Sequence, residues 1–89
     1  MKYEIFRSKD FKKSFKKLSE THKSQVLSIL ERLANDEILE PKYKDHKLKG
    51  EYEGFRECHI KPDLLLIYEK CEDILILTAI NVGSHSELF

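Results

Sequence analysis

Four residues of this chain, His46, His59, Asp63 and His85, have side chains that move protons near neutral pH, and their placement is uneven. His46 lies in the polar stretch "YKDHKLKG", His59 and Asp63 bracket "IKP", and His85 sits in the closing "GSHSELF". Each falls near the end of an apolar segment or in a connection, where chains carry function more often than in their cores. An imidazole titrates near about 6.5, so one ring can accept a proton while another donates one.

Three readings of this set compete. Single histidines are most often solvated or packing residues, and that is the reading for His22 at the start of a helix. Three imidazoles and a carboxylate also make a zinc donor set, although their spacing matches no zinc motif. The third reading is acid–base catalysis of the kind that cleaves RNA without a metal. A base removes the 2′-hydroxyl proton, the oxygen attacks phosphorus in line, and an acid protonates the departing 5′-oxygen. Cations must offset the charge that builds on the phosphorane, and Lys47, Lys49 and Arg56 stand in the same stretches.

The elements that would position these residues follow from periodicity. "KYEIF" alternates weakly and predicts a short first strand. Ser8 caps a helix over 9–19 that places Phe11, Phe15 and Leu18 on one face and five lysines elsewhere. Thr21 opens a second helix with Val26, Ile29, Leu30 and Leu33 at the same spacing, ended by Asn35 and Pro41, so the two form a helical hairpin. Residues 41–54 read as a loop with room for a short edge segment. "FRECHI", "LLLIY" and "ILILTAINV" then predict an antiparallel meander, covered on at least one face by the hairpin in a two-layer α+β fold. Alternation puts Phe55, Glu57 and His59 on one face and Arg56, Cys58 and Ile60 on the other. Glu57 is thus placed to orient His59. Arg56 reaches the histidines only from a strand end or past a bulge, and pairing with a nearby carboxylate is its other reading.

Composition narrows the class. The 89 residues make one domain of residues 1–89, too small for a second lobe that binds a cofactor. No apolar run approaches the roughly 20 residues that span a bilayer, and "MKYEIFRSKDFKK" lacks a secretory core, so a cytoplasmic location is expected. Cys58 and Cys71 fall out of register across the "KPD" turn and are expected as free thiols. Equal numbers of acidic and basic residues hide a split: 1–49 hold 13 Lys+Arg against 8 Asp+Glu, and 50–89 hold 3 against 8. Such a split suits a face that meets nucleic acid or an acidic protein, and equally suits solvated helices.

The segments "YKDHKLKG", "GFRECHIKPDLLLIY" and "GSHSELF" resemble the YafQ-type toxins of the RelE/ParE superfamily, and the likeness runs over nearly the whole chain in element order. The resemblance implies a RelE-like fold and the toxin half of a bacterial type II toxin-antitoxin pair. It implies an endoribonuclease that needs no metal or other cofactor and cuts mRNA in the A site of the ribosome, with a cognate antitoxin as partner. The family's catalytic set falls on His46, His59, Asp63 and His85, with His85 as general acid and one of the other three as base. Phe89 matches an aromatic placed to stack on a base; a hydrophobic lid over the core is its other reading. The superfamily also contains gyrase poisons, which act on a protein target and need no converging histidines. Ribosome-dependent members are distinctly basic, whereas this chain is neutral, which leaves the first helix and the loop lysines to meet phosphate.

Overall fold

The apolar run at 64–68 is buried on both sides, and this decides the architecture. Leu64, Leu66 and Tyr68 enter a main core, whereas Leu65 and Ile67 enter a smaller one on the opposite face. A computed structural model describes residues 1–89. The order is β1 (Glu4–Arg7), α1 (Lys9–Phe15), α2 (Glu20–Ala34), β2 (His46–Lys47), β3 (Arg56–Lys61), β4 (Leu64–Cys71), β5 (Ile76–Gly83) and α3 (His85–Leu88). Two 3-10 turns, Pro41–Tyr43 and Gly50–Tyr52, flank β2.

The expected α+β class and helical hairpin hold, with four changes of detail. The first helix stops at Phe15, because Ser19 adopts extended backbone and caps α2 by accepting from the His22 N–H. The last strand begins at Ile76, since Leu75 turns through a positive φ of 54°. The meander is part of a five-stranded mixed sheet in the order β1-β5-β4-β3-β2. In it β1 lies parallel to β5, and β2 adds a two-residue antiparallel edge to β3. Finally, "GSHSELF" contains a short helix, His85–Leu88.

The hairpin fills the main core. Phe11, Val26, Leu30 and Leu33 are almost wholly buried against Cys58, Leu66, Tyr68 and Leu77. Burial pushes the Cys58 thiol up to about 12, so it packs as a small apolar group, and both cysteines are free. A bulge at Ile80 shifts the alternation of β5 by one residue, so that Ala79 and Val82 both face this core. The smaller core, Leu65, Ile67 and Leu88 with Leu48, Phe55 and Ile80 against it, lies under α3 and the loop before β3. No helix of the protein is long and apolar enough to cross a membrane.

An ionic clasp ties the end of α2 to the start of the chain and to β4. Asp36 accepts from Lys2 Nζ at 2.8 Å and Lys70 Nζ at 2.6 Å, and these bonds lower its carboxyl to about 2. A carboxylate with a depressed folded-state pKa stabilises above its unfolded value and loses that contribution as pH falls through the folded one. Asp36→Asn is therefore expected to lower the urea midpoint slightly at pH 7. Its deficit relative to wild type should shrink steadily as the pH is taken from about 4 towards about 2.

Candidate active site

Strand alternation puts Glu57 and His59 on the smaller-core face of the sheet, opposite the helical hairpin. The two-residue β2 pairs His46 with Glu57 across the edge and brings a second imidazole to the same face. Glu57, only 6% exposed, is the one charged residue in the buried set. Its Oε1 accepts from His59 Nε2 at 3.2 Å and lies 3.7 Å from His46 Nε2; the two rings are 6.3 Å apart. His46 Nδ1 lies 2.5 Å from the Lys44 carbonyl. A carbonyl only accepts, so Nδ1 carries the proton of that bond, and Nε2 is the nitrogen turned to the site.

His46 is held from behind. The preceding Asp45 accepts from the Tyr68 hydroxyl at 2.5 Å and from Arg56 Nε at 3.4 Å, and Arg56 also donates to Tyr68 at 3.2 Å. Burial first, and then the hydrogen bond to Asp45, raises the Tyr68 pKa, so the hydroxyl stays protonated and donates. Tyr68→Phe leaves a partly buried carboxylate short of one donor. An expected loss of about 1–2 kcal/mol in urea unfolding, with a broadened His46 ring signal, checks this anchoring.

The other half of the site is built by the chain end. Ser84 and Glu87 form a reciprocal capping box: Ser84 Oγ accepts from the Glu87 N–H, and Glu87 Oε1 accepts from the Ser84 N–H at 2.7 Å. Gly83 makes room for it, since a Cβ there would stand 3.0 Å from Glu87 Oε1. Asp63, in the β3–β4 turn, accepts the His85 backbone N–H at 3.0 Å and docks α3 on that turn. The exposed His85 ring packs edge-on against Phe89 at 5.2 Å, and Phe89 against Tyr52 at 5.2 Å. His59, Leu65 and Gly83 lie in one row across three strands, which separates His59 from the start of α3 by roughly 10 Å at ordinary strand spacing.

The face thus has two proton-carrying sides, His46–Glu57–His59 and Asp63–His85–Phe89, with an apolar floor between them. Lys47, Lys49 and Arg56 are not brought to it. Lys47 pairs with Arg56, and all three line a cleft of about 840 Å³ on the other side of the sheet edge, with Asp45, Tyr68 and Lys70. Tyr52, Asp45 and Tyr68 are parts of the site that residue type alone left unmarked. Among His, Cys, Asp and Glu, no three are grouped to hold a metal ion.

Known proteins share this fold. A family model described as a bacterial toxin of type II toxin-antitoxin system, YafQ, matches residues 3–89. Over 83 residues the chain is 36% identical to the mRNA interferase toxin YafQ of Escherichia coli strain K12, covering 92% of this chain and 86% of that one. The crystal structure of a metal-bound toxin from Helicobacter pylori superposes with a TM-score of 0.85 at 41% identity, over 98% of this chain and 99% of that one. A chain of the E. coli DinJ-YafQ toxin-antitoxin complex superposes with a TM-score of 0.84 at 30% identity, over 100% and 99%.

Proposed function

The chain belongs to the YafQ family of bacterial type II toxin-antitoxin toxins, and from that premise we propose that it is an mRNA interferase, cutting RNA by acid–base catalysis. The observation that carries the chemistry is the pair of proton-carrying groups facing each other across one apolar strip.

His46 is the base. Its Nδ1–H is engaged by the Lys44 carbonyl, so Nε2 is free to take the 2′-hydroxyl proton. The 2′-oxygen attacks phosphorus, the bond from phosphorus to the 5′-oxygen breaks, and His85 gives its proton to that oxygen. The products are a 2′,3′-cyclic phosphate and a 5′-hydroxyl. His59, fixed by Glu57, steadies the charge on the non-bridging oxygens. Asp63 sets the position of His85 through its backbone, and Phe89, 52% exposed, offers a face to a neighbouring base. Lys47 and Lys49, in the cleft beyond the sheet edge, take no part in this step, and Arg56 serves by holding Asp45. None of these steps requires a metal ion.

A neutral chain has little general affinity for RNA, so the substrate is met on the ribosome in the cytoplasm, with the lysines of α1 and the loop giving local contacts. The cognate antitoxin is the other partner, with acidic side chains set on the same lysines. Primer extension on a reporter mRNA after induction tests the reading. New 5′ ends that vanish on antitoxin co-expression are expected, and their absence in growth-arrested cells would overturn it.

A further inference from the structure

Behind His59 the molecule opens into a cleft of about 740 Å³ between α2, the turn at Pro41–Tyr43 and the end of β3. Arg32, Lys42, Lys44 and Lys61 line it, and no carboxylate does, although the chain has as many acidic as basic residues. Arg32 is committed to Glu37 and Glu40 at 3.0 and 2.9 Å. Lys42, Lys44 and Lys61 are exposed and take part in none of the ion pairs of the molecule.

The rest of the wall is not that of a plain cation patch. Ser24, Gln25 and Ser28 project into it from one ridge of α2, and the Tyr43 ring forms an aromatic side. Gln25 Oε1 is the only buried side-chain polar atom in the protein without a hydrogen-bond partner. An acceptor left without a donor is unfavourable, and a ligand N–H that reaches it removes the cost. His59 belongs to this wall and, through Glu57, to the catalytic face, so the two sites are continuous.

We propose that this cleft seats one nucleotide of the RNA strand next to the scissile phosphate. The proposal rests on the nuclease reading for the direction of the strand. The unpaired lysines hold the phosphodiester, Tyr43 stacks against the base, and the Gln25 amide with the serine hydroxyls reads N–H groups on the base edge. An acidic peptide would use the lysines and could offer Gln25 a backbone N–H, but its carboxylate side chains have nothing to stack on the aromatic wall.

The test uses the full chain, labelled with 15N, and a 2′-O-methyl RNA oligonucleotide of about four residues, which lacks the attacking hydroxyl. The Gln25 side-chain amide and the backbone signals of Ser24, Ser28 and Tyr43 are expected to shift together and saturate. Gln25→Leu and Lys61→Ala should each weaken binding roughly fivefold or more, and Gln25→Glu should weaken it further. Lys61 is exposed, so its variant reports even where a Gln25 variant folds poorly. Shifts that leave Gln25 unmoved, or equal shifts with a polyglutamate peptide, overturn the nucleotide site. A protein that seats the oligonucleotide here but cuts no mRNA refutes the nuclease reading and leaves the cleft standing. One that cuts mRNA while Gln25 stays unmoved does the reverse.

Discussion

His85→Ala is expected to slow mRNA cleavage by roughly 10²–10⁴-fold while leaving the protein folded, the range associated with a missing general acid. The two effects separate because the fold uses the backbone of His85 and the proposed chemistry uses its ring. Asp63 holds the main-chain N–H, and the capping box of Ser84 and Glu87 does not involve the imidazole. The only aromatic partner of the ring is Phe89, itself half exposed. Single-turnover cleavage of ribosome-bound mRNA, beside a urea titration of the same preparation, checks both halves. Wild-type cleavage by the variant would mean that the proton reaches the 5′-oxygen from another group. Parallel loss of activity and stability would mean that the ring is a structural prop of α3.

How far the site was legible in the sequence depends on how local its causes are. Ser8, Phe11 and Phe15 declare α1 within one or two turns, so its start and its buried face follow from spacing. The pairing of Glu4 with Ile76 joins residues far apart in the chain, through a parallel contact that no neighbouring turn announces. β2 has only two residues and therefore no periodicity of its own; it exists because β3 presents Arg56 and Glu57 as partners. The helix in "GSHSELF" did carry a local signal, the Ser84-x-x-Glu87 capping box. Alternation separated Glu57 and His59 from Arg56, and the structure keeps that separation. What alternation cannot give is the use of the far side, where Arg56 and Tyr68 grip Asp45 and so place the neighbouring His46. Tyr68 read as the last residue of an apolar run, and only its register against Arg56 shows where its hydroxyl goes.

Glu57→Gln is expected to cost activity without costing stability, and this opposition separates a positioning role from a structural one. The carboxylate lies beneath the site beside the strands that carry Leu65 and Ile67, and its oxygen reaches His59 at 3.2 Å and His46 at 3.7 Å. Keeping a carboxylate in that setting is unfavourable unless the hydrogen bonds compensate, so a neutral isostere should leave the urea midpoint unchanged or raise it. The amide keeps the shape but not the charge-assisted acceptor for His59 Nε2–H. The His59 ring then loses its anchor, and a misplacement on the order of 1 Å is enough to lose about 10²-fold in rate. The expected pattern is slow cleavage at saturating substrate, an unchanged or higher midpoint, and altered ring signals for His59 and His46. A fall in stability with full activity per folded molecule would make Glu57 a structural residue, and would leave His46 positioned by the Lys44 carbonyl and the Asp45 anchor alone.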